Sequence, residues 1–218
     1  MIKYFREPVN GITHFFGAVA ALIGTIFLIL NATSTPGANV ITIIAVIVFG
    51  ISMIFLYSAS AIYHLTKARA NVILRLRKLD HSMIYILIAG TYTPAILLAL
   101  TGTLKWGFFI GIWAIAISGI IVKMFWIASP RWLNAGIYVA MGWSGMVAIV
   151  PLYKSIGTAG IVWLLAGGIA YTVGAVIYAT KKPLLFKEFG FHEIFHILII
   201  IGSVCHYVMV MKYIIPMQ

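Results

Sequence analysis

Two histidines near the end of the chain, His192 and His196, are spaced to bind one metal ion. A separation of four residues places both side chains on one face of a helix, about 6 Å apart along its axis. Imidazole nitrogen is a common ligand of Zn²⁺. The segment from 192 to 196, HEIFH, is therefore predicted to supply two ligands of a metal site.

A similar spacing separates Ser60 and His64 at the end of an earlier apolar segment, and Asp80 begins the segment after it. His64 would complete a three-histidine site with His192 and His196. Three protein ligands and one water form a tetrahedral zinc site with an open position, the arrangement of catalytic rather than structural zinc. A nearby carboxylate such as Asp80 can hold or deprotonate that water. This set of residue types is the one that a hydrolytic metal centre would need.

The letters HEIFH also match the HExxH pattern of zinc proteases, in which the glutamate is the general base. A protease of that type needs a third ligand downstream. His206 follows His196 by ten residues, which fits the extended protease pattern poorly, and Ile199 stands where that pattern requires glycine. No carboxylate follows Glu193. The third ligand is expected from another helix, and His64 is the best candidate.

The composition identifies an integral membrane protein. Of the 218 residues, 63% are hydrophobic and 9% are charged, against roughly 45–50% and 25% in soluble domains. A soluble globule could not hide so much apolar surface, and a disordered chain would be polar and poor in aromatic residues. The single cysteine, Cys205, excludes an intrachain disulfide.

Seven apolar runs are each long enough to cross a bilayer as a helix, which takes about 20 residues. They cover about residues 12–30, 40–64, 80–100, 106–128, 133–152, 159–179 and 191–215. A membrane β-barrel would instead show strands of about 10 residues with alternating polarity. The sequence predicts an all-α integral membrane fold, a seven-helix bundle that occupies residues 1–218 as a single domain.

The distribution of lysine and arginine predicts the orientation of this bundle. With the N-terminus inside, the cytoplasmic segments hold 12 of the 15 basic residues, including Lys3 and Lys187, and the outer segments hold Lys105, Lys154 and Lys212. Such a bias marks the cytoplasmic side of membrane proteins. We expect a cytoplasmic N-terminus and an extracytoplasmic C-terminus. The net charge of +11 then needs no nucleic-acid partner.

Ionisable residues inside membrane segments are costly, so each is a functional candidate. In this topology most of them lie at the inner ends of helices, and His206 alone lies deeper. The candidates that would surround the metal ligands are His14, His81, Glu193 and His206. A single histidine at a helix end is more often an interfacial residue. Packing alone explains poorly why three histidines and Asp80 converge from three helices.

The order of these motifs resembles the hemolysin III family, the bacterial branch of the progestin and adipoQ receptor group. The resemblance rests on SxxxH at 60–64, LDHSMIY at 79–85, HxxxH at 192–196 and EPVNGITH at 7–14, and it covers about residues 7–207. It implies a seven-helix bundle with zinc near the cytoplasmic leaflet.

The resemblance also implies roles for individual residues. The ligands would be His64, His192 and His196, with Asp80 contacting the metal through water and Ser60 beside it. Related branches are receptors or lipid amidases similar to alkaline ceramidases. They share the serine, the aspartate and the three histidines, which implies that Glu193 is not essential.

The sequence favours a zinc-dependent hydrolase of a membrane lipid amide or ester, with Asp80 and Ser60 as catalytic residues, in a bacterial plasma membrane. One alternative is a pore-forming hemolysin, although a secreted toxin needs a water-soluble form that this composition does not offer. Another is a receptor or membrane stress sensor with a structural zinc. A transporter is a weaker option, because duplicated halves are absent from the sequence. The oligomeric state and the lipid itself stay open.

Overall fold

The computed structural model describes residues 5–186 and 189–218, and the regular secondary structure of these residues is helical apart from one short hairpin. The helices are α1 (Pro8–Ser34), α2 (Val40–Leu65), α3 (Ala70–Ala99), α4 (Gly102–Phe125), α5 (Arg131–Trp143), α6 (Ile149–Thr180) and α7 (Phe191–Met209). A 3₁₀ segment (Ser144–Ala148) joins α5 to α6, and a π segment (Val210–Ile214) and a 3₁₀ turn (Ile215–Met217) follow α7. The antiparallel hairpin pairs β1 (Leu184–Phe186) with β2 (Phe189–Gly190).

Six helical stretches in the described part of the chain are long and apolar enough to cross a membrane. The expected all-helical, multi-pass membrane bundle is therefore confirmed. Within it α3 is central, since 67% of its apolar window is buried, against 17% for α4. The helices approach closely where small residues meet, as Gly90 of α3 does with Ser52 of α2. Of the basic residues assigned to the inner side, Lys3 and Lys187 lie outside the described residues.

The longest of these stretches, residues 131–180, is bent back on itself at Gly157. That residue has φ 66° and ψ −177°, a conformation essentially confined to glycine. On either side of it the chain packs antiparallel, because Trp143 Nε1 donates to Thr172 Oγ1 at 2.8 Å and the Arg131 guanidinium lies over the Tyr178 ring. The bend falls in the gap predicted between 133–152 and 159–179. The count of seven spans and the inside N-terminus stay predictions.

Helix α3 begins at Ala70, ten residues before the predicted start at 80. Hydropathy detects the part of a helix that crosses the bilayer, not a polar extension of it. Residues 70–79 lack proline and glycine and contain long, straight side chains of good helix propensity. Asp80 and His81 consequently lie about 15 Å along the helix from its first residue.

The turn between α4 and α5 is built around a buried lysine. Lys123 is 1% exposed, and its ammonium group donates to Ser129 Oγ at 2.7 Å and to the side-chain oxygen of Asn134. Ser129 also donates to Asn134 at 2.8 Å. These contacts stabilise the connection that places Arg131 at the start of α5.

Candidate metal centre

Three histidines from two helices form a cluster that is positioned to bind a metal ion. His64 lies in the last turn of α2, and His192 and His196 lie on the first turns of α7. Their ligand atoms all fall within 4.8 Å of one another. His64 and His196 are 1% and 2% exposed, and His192 is partly buried.

The nitrogen atoms of this cluster suit a metal. His64 Nε2 and His196 Nδ1 are buried and have no hydrogen-bond partner among the described residues. A buried polar atom without a partner costs roughly 1–3 kcal/mol, so such atoms need a ligand. Three imidazoles converging on one point are the donor set of catalytic zinc sites, which leaves one coordination position open.

Glu7 orients the first of these ligands from the residue preceding α1. Its carboxylate accepts a hydrogen bond from His64 Nδ1, and its second oxygen lies 3.3 Å from Arg6 Nε. Burial raises the pKa of Glu7, but the hydrogen bond and charge of His64, together with Arg6, outweigh burial and lower the pKa to about 2. The ionised carboxylate thus holds the His64 ring with Nε2 turned away, as in carboxylate–histidine–metal sites.

Ser60 and Asp80 face the histidines across one cavity of about 270 Å³. Ser60 lies one turn before His64 and is buried, and its hydroxyl is close enough to interact with the Asp80 carboxylate. Asp80 does not belong to the group of three histidines whose ligand atoms lie within 4.8 Å of one another. That position suits a carboxylate that acts through water rather than as a direct ligand.

The carboxylate of Glu193, the glutamate of HExxH, forms its hydrogen bonds at the start of α7. Its Oε2 accepts from the backbone nitrogen of Gly190 at 2.8 Å, which caps the helix, and its Oε1 accepts from Asn10 Nδ2 at 2.8 Å. Both carboxylate oxygens therefore have partners that are unrelated to proton transfer. This geometry suits a structural role for Glu193 and offers no support to the protease interpretation.

The other candidate histidines occupy different surroundings. His14 of α1 is buried and stacks on His196, with ring centroids 3.9 Å apart, and neither of its nitrogens has a partner among the described residues. His81 lines the metal cavity beside Asp80. His206 lies ten residues beyond His196 on α7 and lines a separate apolar cavity. The structure thus groups His14 and His81 with the centre and sets His206 apart.

That apolar cavity has a volume of about 120 Å³ and adjoins the metal cavity. The two share the lining residues Ile84, Leu87, Tyr138, Ala175, Phe195 and Ile199. The polar chamber with the histidines therefore borders a space lined almost entirely by apolar side chains. Such a space suits a hydrocarbon chain whose polar end lies at the metal centre.

Sequence reasoning missed several residues of the site. Glu7 stands in the sequence only as the first residue of the EPVNGITH motif, and no helical spacing links it to His64. Arg77 lines the metal cavity and lies three residues before Asp80, hence on the same side of α3. Arg131 and Tyr178 line it too, and no motif or spacing indicates this, because both come from helices without other site residues.

Comparison with known proteins agrees with the motif order. The family model described as Haemolysin-III related matches residues 2–207. The chain is 39% identical to Hemolysin-3 of Bacillus cereus over 219 residues, covering 99% of this chain and 95% of the relative. It is 36% identical to the Hemolysin-3 homolog of Bacillus subtilis (strain 168), with 98% and 96% covered. The Adiponectin receptor protein of Drosophila melanogaster is 28% identical over 95% of this chain and 50% of its own length.

Proposed function

The chain belongs to the haemolysin-III related family, and we propose that it is a zinc-dependent hydrolase of an amide or ester bond in a membrane lipid. One observation carries the proposal. The three histidines, which would leave a bound zinc with one open coordination position, line a cavity that also holds Asp80 and Ser60 and that adjoins an apolar cavity. A structural zinc site normally has four protein ligands.

Each residue of the site has a separate role in the proposed hydrolysis. His64, His192 and His196 would hold the zinc, which would supply Lewis acidity to polarise the scissile carbonyl and to lower the pKa of the attacking water. Asp80 takes a proton from the attacking water and later delivers it to the leaving amine or alcohol. Ser60 holds the Asp80 carboxylate in place or donates to the developing oxyanion. The water oxygen joins the carbonyl carbon as the C–N or C–O bond breaks, giving a carboxylic acid and an amine or alcohol.

The apolar cavity is the reason to propose a lipid. Phe195 lies three residues after His192 and Ile199 three residues after His196, and both line the two cavities, so a substrate chain would run along α7 away from the metal. We place the centre near the cytoplasmic face of the plasma membrane, because His64 ends a helix that the charge distribution brings to the inner side.

Metal content and turnover test the proposal together. The protein is purified in detergent with zinc supplied, and its metal is measured by mass spectrometry beside His192→Ala and Asp80→Asn. We expect about one zinc per wild-type chain, much less in His192→Ala, and full zinc in Asp80→Asn with hydrolysis of N-acyl lipids reduced roughly 10²–10⁴-fold.

His206→Ala is the matched control for metal binding, because it removes a buried histidine of α7 that lies outside the cluster. A folded wild-type protein without zinc would overturn the proposal, and so would an Asp80→Asn variant that hydrolyses lipid at the wild-type rate. A single-channel conductance that survived removal of all three histidines would favour a pore instead.

A further inference from the structure

Two arginines line the metal cavity and have no carboxylate partner among the described residues. Arg77 lies on α3 and Arg131 on the first turn of α5, and both are partly buried. Within residues 5–186 and 189–218, both ion pairs are made by Glu7, with Arg6 and with His64. In this part of the chain the two guanidinium groups at the cavity have no paired acid of the kind that usually neutralises buried arginine.

Arg131 is held in place by aromatic rings. Its guanidinium carbon lies 5.2 Å from the centre of the Tyr178 ring and 5.5 Å from that of Phe191. Those two rings lie 5.9 Å and 6.0 Å from the ring of His192. One nitrogen of the guanidinium, Nη1, is buried and has no hydrogen-bond partner among the described residues. The positively charged Arg131 side chain, with one unpaired N–H group in the described structure, is thus separated from the predicted metal ligand His192 by a single aromatic ring.

The charges around the cavity do not balance once a metal binds. Its lining contains two carboxylates, Glu7 and Asp80, and two guanidinium groups, Arg77 and Arg131. A divalent metal on the histidines would add two positive charges, while the two lining carboxylates are already matched by the two lining guanidinium groups. Uncompensated charge in a partly buried site is costly. A ligand that carries negative charge would remove this cost.

We propose that Arg77 and Arg131 bind a phosphate group of the substrate, so that the enzyme acts on phosphorylated lipid amides or esters in preference to neutral ones. The planar guanidinium binds phosphate through paired N–H donors, and stacking on aromatic rings orients it for this. The proposal rests on the hydrolase function for the reaction, but the phosphate site itself stands on the two arginines.

The general excess of basic residues on the inner side does not explain this pair. That bias accounts for exposed residues such as Arg75 on the same helix. It does not require that a guanidinium pack against two rings beside His192, with a buried donor that has no partner among the described residues.

Binding of matched probes tests the proposal independently of turnover. The probes are a short-chain N-acyl sphingosine 1-phosphate and the same lipid without phosphate, titrated into zinc-loaded full-length protein in neutral detergent. We expect the phosphorylated probe to bind at least 10-fold more tightly than the neutral one. Arg131→Gln and Arg77→Gln should each weaken phosphorylated-probe binding roughly 10- to 100-fold and leave the neutral probe unaffected. Arg75→Gln is the exposed control and should match the wild type.

An additional variant and an additional probe distinguish phosphate recognition from misfolding and from binding of a free anion. Arg131→Lys keeps the charge and loses the paired donors, so an intermediate affinity at unchanged zinc content supports phosphate recognition and guards against misfolding of Arg131→Gln. Equal binding of both lipids overturns the proposal. Inorganic phosphate that binds as tightly as the lipid also overturns it, because the site would then serve a free anion. Arginine-dependent binding without hydrolysis of any lipid would instead contradict the hydrolase function and leave the phosphate site intact.

Discussion

Glu7 and His64 are joined by two hydrogen bonds, one between side chains and one between backbones. The carboxylate accepts from His64 Nδ1, and the backbone nitrogen of Glu7 donates to the backbone oxygen of His64 at 2.9 Å. The start of α1 is thereby fixed to the end of α2 at the metal centre. Because Nδ1 carries the donated proton, Nε2 is the nitrogen available to a metal.

Removal of the Glu7 side chain should weaken metal binding without abolishing it. In Glu7→Ala the backbone hydrogen bond remains, but the His64 ring loses its orientation and its negative partner. We expect zinc affinity to fall roughly 10- to 100-fold, with Glu7→Gln between this variant and the wild type because its amide oxygen still accepts. Competition with a zinc chelator measures the affinity. Unchanged affinity in both variants would show that the carboxylate does not support the site.

Glu193 should prove to be a structural residue. Glu193→Ala removes the helix cap at Gly190 and the contact with Asn10, so we expect a loss of about 1 kcal/mol in stability. Zinc content and lipid turnover should stay near wild-type values, and Glu193→Gln should recover most of the stability because glutamine also caps. Thermal unfolding and turnover are measured on the same preparations. A loss of turnover of 100-fold or more in Glu193→Gln, with zinc retained, would make this residue the general base instead.

The sequence predicted which residues cluster at the site better than it predicted their individual side-chain contacts. Helix periodicity and the parity of membrane crossings bring His64, His192 and His196 to one end of the bundle, where the structure clusters them. The side-chain direction of Glu7 follows neither rule, since it precedes a helix. Likewise, hydropathy does not report the polar first ten residues of α3, nor the packing that brings Arg131 to the cavity.

The apolar cavity should set the length of the acyl chain. Gly168 of α6 lines it, and a Cβ built there meets nothing within 4 Å. Gly168→Leu would fill this space, so hydrolysis of long-chain substrates should fall roughly 10-fold or more while short-chain substrates react normally. Gly111→Leu is the control, because that glycine also has open space but does not line the cavity. An equal loss on both chain lengths would place the acyl chain elsewhere.

Addition of a single methyl group at Gly157 should lower the stability of the protein. No atom lies within 4 Å of a Cβ built there, so the cost of Gly157→Ala comes from the backbone conformation alone. We expect a loss of about 1–3 kcal/mol, because L residues are strained at this φ and ψ. Gly111→Ala, in a regular helix with equal space, should be neutral or slightly stabilising. Thermal unfolding in detergent compares the two, and equal stability would mean that the bend does not need glycine.

The bend at Gly157 also decides on which side of the membrane the chain ends. If the two arms of residues 131–180 each cross the bilayer, the protein has seven spans and its termini lie on opposite sides. Single cysteines at Asn71 and Met217, both exposed, test this in a Cys205→Ser background that has no other thiol. With an impermeant maleimide, we expect Met217→Cys to react on intact cells and Asn71→Cys only after lysis, because 12 of 15 basic residues then lie inside. Labelling of both positions from one side would mean an even number of crossings between them and would contradict the seven-span topology.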